Sequence, residues 1–279
     1  MPDSYAINHY ENFPVASVLL PPAMRRPIAI VYRFARTADD FADEGERTAA
    51  ERLALLDGYR KGLDEIEAGG PISDALFRDL KTEVIDAHRV PVQLFRDLLD
   101  AFAQDVVKTR YADMAELLDY SRRSANPVGR IVLHIAGLAT AERLVQSDAI
   151  CSALQLINFW QDVAIDWQKQ RVYLPQDALA RHGVTEADIA AARVDARWQA
   201  LLTEMVQSTH DLLWSGAPLG ASLPGRLGME IRLTVLGGDA ILRKTRQADF
   251  DVFTRRPKLG KRDWPGLLLG TLSTRRFKA

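Results

Sequence analysis

Apolar residues recur at spacings of three and four along most of the 279-residue chain, and strict polar/apolar alternation is nearly absent. This periodicity predicts amphipathic helices over Glu51 to Glu67, Pro91 to Val107, Ser147 to Trp167 and Asp195 to Trp214. Another is predicted from Pro27 to Glu44, with proline at the first helical position, where its missing N–H costs little. Turns are expected at Gly69-Gly70-Pro71, at Asn126-Pro127 and across Gly216 to Gly228. Thr185, followed three residues later by Asp188, signals a capped helix start after Gly183. No internal repeat or low-complexity linker interrupts this pattern, so one all-α domain over residues 1–279 is expected, with a tail of different composition from about 255.

Two of these helices carry unusual polar faces. In Pro27 to Glu44, Tyr32, Arg36, Asp39 and Asp43 project within an arc of roughly 60°, with Asp40 and Glu44 as a second acidic pair beside them. Along Ser147 to Trp167, Gln155, Asn158, Asp162 and Asp166 fall within about 80° on an otherwise largely apolar helix. That segment holds three acids and neither lysine nor arginine. Like charges one turn apart repel, and an ordinary solvent face offsets this by mixing both signs. A divalent cation would resolve the repulsion. Magnesium suits the donors, because it takes hard oxygen ligands from one or two carboxylates and completes its shell with phosphate oxygens and water. Two such helices could hold a metal–diphosphate cluster between them; the alternative is that each stripe is a plain polar helix face.

Composition narrows the class further. A hydrophobic content of 47% is ample for a core, and a net charge of -1 provides no global field for nucleic acid. The single cysteine, Cys151, excludes an internal disulfide and a thiolate zinc site, which suits the cytoplasm. The first fourteen residues lack a basic start followed by an apolar run, so no secretory signal is expected. No apolar stretch approaches the roughly 20 residues that span a bilayer. Residues 255–279 hold eight basic side chains against one acid, Asp263, interleaved with Trp264, Leu267, Leu268, Leu269 and Leu272. That tail has two readings: a membrane-surface contact, or a solvated terminal helix that packs its leucines on the core.

The paired segments ARTADDFADE (35–44) and NFWQDVAIDWQKQRVYLP (158–175) resemble the signatures of squalene and phytoene synthases. HYENFP (9–14), YSRRSANPVGR (120–130) and GGDAILRKTRQADFDVF (237–253) follow in that family's order. HYENFPVAS, RRSANPVGR and NFWQDVAIDW are most similar to the hydroxysqualene-forming branch of the bacterial hopanoid pathway. The resemblance implies an all-α, single-domain isoprenoid synthase helical bundle with a central cavity. It implies Mg2+ on Asp39, Asp43, Asp162 and Asp166, with Asn158 supporting the second pair. Arg36, Arg171 and Arg255 would meet diphosphate oxygens, for which a permanently charged, forked guanidinium is suited. Tyr32, Tyr120 and Gln155 would face the reacting carbons, and His9 and Phe13 would lie near the pocket mouth or a flap.

Bland readings stand beside these: His9 as a terminal surface residue, Arg171 paired only with a nearby acid such as Asp166, Tyr120 as a core tyrosine. Phe159 and Trp160 could shelter a cation or be ordinary core. The implied reaction converts presqualene diphosphate to hydroxysqualene with release of diphosphate, at or near the inner membrane surface, with handoff to other squalene-pathway enzymes. Alternatives are head-to-head condensation of two prenyl diphosphates and a non-catalytic helical assembly protein of the same fold. Glu11-Asn12-Phe13, Asn126-Pro127 and Gly238 depart from carotenoid-forming relatives, which motivates water rather than hydride as the terminating nucleophile.

Overall fold

The structure, a computed structural model, describes residues 21–278. Its elements in chain order are α1 (Pro22–Asp43), α2 (Ala49–Ala68), α3 (Ala75–Asp79) running into a π-helical turn (Leu80–Asp86), α4 (Gln93–Val107), α5 (Met114–Ser124), α6 (Asn126–Ile135) and α7 (Ala141–Gln161). There follow α8 (Val163–Gln168), α9 (Gln176–His182), α10 (Glu186–Ala190), α11 (Ala196–Gly216), α12 (Leu219–Ser222), α13 (Gly225–Gln247), α14 (Trp264–Thr271) and a 3-10 turn (Arg275–Phe277). Among the described residues the only β-type pairing is an isolated bridge between Arg110 and Val172. The all-α class expected from the periodicity is therefore correct. No helix among the described residues is long and apolar enough to cross a membrane.

Four boundaries differ from the sequence reading. α1 starts at Pro22, so Pro27 lies inside it rather than at its first position. Asn126-Pro127 does not form a turn; it opens α6, with proline in the first helical turn where its missing donor is harmless. The Gly216 to Gly228 stretch encloses the short α12. Ser147 to Trp167 is not one helix: Asp162, at φ -105° and ψ 13°, divides α7 from α8. The hydrogen-bond ladder survives the break, with the Asp162 amide donating to the Asn158 carbonyl (2.9 Å) and the Asp166 amide to the Asp162 carbonyl (2.8 Å). The predicted Thr185–Asp188 capping box is present, and a second, Thr48–Glu51, starts α2.

The described residues form two compact units, one of residues 21–108 and 122–144, the other of residues 109–121 and 145–278. In the first, α1 packs against α2, α4 and α6. Its apolar face buries Ile28, Val31, Phe34 and Ala38, and Phe34 meets Tyr59, Phe77 and Phe95 at ring-centroid distances of 5.3 to 6.0 Å. Burying that face leaves the Tyr32/Arg36/Asp39/Asp43 stripe on the other side of the same helix.

In the second unit, α11 packs on α13 over a core that includes Trp198, Leu201, Leu202 and Val235. The indole N–H groups of Trp160 and Trp198 are both satisfied, by Thr209 Oγ1 (2.8 Å) and the Phe250 carbonyl (2.9 Å). Gly238 of α13 lies at a contact with α7 and α11: a Cβ there would sit 3.0 Å from Ile157 Cδ1 and 3.2 Å from Leu154 and Leu213 methyls. Its missing side chain thus serves helix packing.

The leucines of the tail do not all pack on the core. Leu267 packs inward, while Leu268, Leu269 and Leu272 face solvent.

Candidate functional site

Helical phase brings the unit 1 candidates together on α1. Arg36 NH1 donates to Asp39 Oδ2 at 3.1 Å, and Arg36 NH2 lies 2.6 Å from Asp40 Oδ1 and 3.9 Å from Glu44 Oε1. One guanidinium thereby holds three of the acids of ARTADDFADE. The pairing remains incomplete: among the described residues, buried Arg36 Nε has no acceptor, and Asp40 Oδ1 has no partner in hydrogen-bond geometry despite the short contact. A buried guanidinium N–H without an acceptor is costly, and an anion's oxygen would satisfy it. Tyr32 and Asp43 occupy the same face one turn to either side.

In the second unit the stripe Gln155, Asn158, Asp162, Asp166 runs from α7 across the break into α8. Asp162 is gripped by Arg256, whose Nε and NH2 donate to its two carboxylate oxygens at 2.5 and 3.1 Å. Gln161, next to Asp162, donates from Nε2 to the carbonyl of Pro257 (2.7 Å), which pins the segment carrying Arg256. Arg255 turns the other way. It donates to the Ala248 carbonyl (2.7 Å) and pairs with Asp251 (3.3 Å), closing the end of α13. Arg256, the neighbour of the residue expected from the sequence, is thus an arginine held on the aspartate stripe.

Arg171 lies on the turn after α8, where its backbone N–H donates to the Asp166 carbonyl (2.8 Å). That turn is tied down by the Arg110–Val172 bridge, by the Val172 N–H on the Thr109 carbonyl (3.0 Å) and by Arg110 NH1 on the Gln170 carbonyl (2.6 Å). Arg110 also binds Glu186 through two nitrogens (2.5 and 2.9 Å), which holds the Glu186 carboxyl below its ordinary range. The same anchoring fixes Tyr173.

Tyr120, 4% exposed, joins Tyr111, Phe159 and Tyr173 in a cluster of four rings. Phe159 and Tyr173 stack at 3.8 Å and 7°. In that stack each ring covers one face of the other, so only a ring face outside the stack could meet a cation. Trp160, by contrast, is core, its N–H spent on Thr209. Tyr111 and Tyr173 were not singled out from the sequence, although Tyr173 lies within the segment NFWQDVAIDWQKQRVYLP. His9 and Phe13 lie outside the described residues.

Among the described residues no three histidine, cysteine or acidic side chains gather as a metal cluster. The chain offers carboxylates in pairs one turn apart, Asp39 with Asp43 and Asp162 with Asp166, all half-buried. Such all-oxygen pairs fit magnesium, which commonly takes only one or two carboxylates when phosphate supplies the remainder.

Residues 7–263 match the squalene/phytoene synthase family. Hydroxysqualene synthase of Rhodopseudomonas palustris is 37% identical over 246 residues, 86% of this chain and 80% of the relative. That of Sinorhizobium fredii is 34% identical over 250 residues, 89% and 84% of the two chains. Among solved structures, squalene synthase HpnC from Alicyclobacillus acidocaldarius superposes with a TM-score of 0.80 at 36% identity, covering 87% of this chain and 90% of its own. A dehydrosqualene synthase at 21% identity, with a TM-score of 0.79 over 91% and 88% of the two chains, shares the fold. Sequence and fold together place the chain in the squalene/phytoene synthase family, a family of isoprenoid synthases.

Proposed function

We propose that the protein converts presqualene diphosphate and water to hydroxysqualene and diphosphate, with magnesium as cofactor. The observation that carries this reading is the stripe Asn158–Asp162–Asp166 with a two-pronged arginine on Asp162, beside which the relatives of about 35% identity carry the name hydroxysqualene synthase. Asp39 with Asp43, and Asp162 with Asp166 supported by Asn158, would hold magnesium, which would offset charge on the departing diphosphate. Arg36, whose Nε–H is unspent, and Arg171 donate to phosphate oxygens; Arg256 joins them, a role first expected of Arg255.

Departure of diphosphate leaves a carbocation, which ring faces of the Tyr120, Phe159 and Tyr173 cluster outside the Phe159–Tyr173 stack stabilise while the cluster excludes bulk water. Tyr32 and Gln155 orient the reacting carbons. One held water adds its oxygen to the cation and loses a proton, so the product is an alcohol. Its apolar chain then leaves toward lipid or the next enzyme of the pathway, consistent with a peripheral site at the inner membrane surface.

A second reading, squalene as product, is favoured by the likeness to the Alicyclobacillus squalene synthase. It needs a hydride donor. Incubation with presqualene diphosphate and magnesium in heavy-oxygen water separates the two: labelled hydroxysqualene without added nicotinamide is expected. An unlabelled alcohol, or squalene formed only with reduced nicotinamide, would overturn the assignment. Asp39→Asn and Asp162→Asn should each abolish diphosphate release while leaving the far-UV spectrum and Tm near those of the unaltered protein.

A further inference from the structure

α14 is firmly seated on one side. Leu267 and Thr271 are buried, and a Cβ on Gly270 would fall 2.8 Å from Leu236 of α13, so the two helices approach as closely as a glycine permits. Arg232 of α13 donates to the Thr271 carbonyl (2.7 Å), Lys244 pairs with Asp263 (2.7 Å), and Phe277 beyond the helix is buried against Trp214. The outward side of this fixed helix is apolar. Trp264 is 44% exposed, Leu268 48%, Leu269 69% and Leu272 69%. With Pro265 they span an arc of roughly 140° that a solvent-facing helix would fill with polar groups.

No charged side chain occurs from Trp264 to Thr274. Charge resumes at both ends: Lys258, Lys261 and Arg262 precede the patch and Arg275, Arg276 and Lys278 follow it, all exposed. The one acid of the tail, Asp263, is already engaged by Lys244.

We propose that this face is an interfacial anchor whose partner is the surface of an anionic phospholipid bilayer. Tryptophan and leucines enter the boundary between headgroups and acyl chains, and the two cationic clusters meet lipid phosphates. Each cation near an anionic surface strengthens binding about fivefold, so charge and insertion act together. Pairing with a second copy is disfavoured by the same residues. A two-fold contact through this face sets cations against cations in either direction, because both ends are positive. The purpose of the anchor, access to a lipid-dissolved polyprenyl diphosphate, rests on the proposed function; the binding does not.

Co-sedimentation of the full chain with phosphatidylcholine vesicles, with and without phosphatidylglycerol, tests it. Binding should require the anionic lipid and weaken as salt is added. Leu269→Glu/Leu272→Glu should lose at least tenfold in affinity, and Arg275→Gln/Arg276→Gln should lose affinity with a shallower salt dependence. Both double variants should release diphosphate normally in detergent micelles, which shows that they fold and reports the enzymatic reading separately. No sedimentation with anionic vesicles, or undiminished binding by the leucine variant, would overturn the proposal. So would a concentration-dependent dimer that the leucine variant abolishes.

Discussion

Arg255 and Arg256 are adjacent and chemically identical, yet one completes a helix end and the other holds an aspartate of the α7–α8 stripe. The backbone decides between them, because the Gln161–Pro257 hydrogen bond fixes which side chain points at Asp162. Replacing Arg256 by Gln should lower kcat/KM by about tenfold to a hundredfold, the cost of a charged hydrogen-bonding partner. Arg255→Gln should change it little. Steady-state diphosphate release for the two variants makes the comparison, and equal losses would remove the special role of Arg256. The four-ring cluster makes a similar point. Phe159→Leu keeps the volume roughly but removes the ring that stacks on and orients Tyr173, so kcat should fall more than KM rises if a ring face outside the stack stabilises a cation.

At the scale of elements, helix interiors were legible in the sequence and their junctions were not. The three-and-four spacing of Phe34 and Ala38, or of Leu202, Met205 and Val206, states a buried face directly. Capping boxes are equally explicit, and Thr185→Ala should cost about 1 kcal/mol, measurable as a shift in urea midpoint. The break at Asp162 leaves no such mark, because the backbone ladder and the polar phase both run through it. The aspartate stripes stand out because the spacing of like charges is a local property, whereas the Arg256 that offsets Asp162 comes from a distant segment. Arg256, Tyr111 and Tyr173 reach the site through turns, where side-chain direction depends on tertiary contacts that periodicity does not encode. Gly238 bears on the product differently from its sequence reading. As a helix-contact position it should make Gly238→Phe destabilising by about 1–3 kcal/mol through overpacking against Ile157 and Leu154, without a switch from alcohol to hydrocarbon.

For the whole molecule, titration sets the acid limit of stability. Arg110 holds the Glu186 carboxyl below its ordinary value of 4.5, so that contribution is complete above this value and is lost as pH falls through the lower folded one. Burial, aided by Arg130, holds His134 below its ordinary 6.5. The unfolded chain therefore binds that proton first, and stability begins to decline as pH falls below about 6.5. A urea midpoint followed against pH should show a shallow loss on that side and a steeper one below about 4.5; Glu186→Gln should soften only the second. The buried Arg232 guanidinium, donating to the Gly220 and Thr271 carbonyls, gives the tail a further meaning. A chain cut after Asp263 would strand that donor beside an empty groove on α13 and remove Phe277 from Trp214. Proteolytic trimming of the tail should therefore act as a degradation signal, releasing an unstable remainder rather than a soluble, active enzyme.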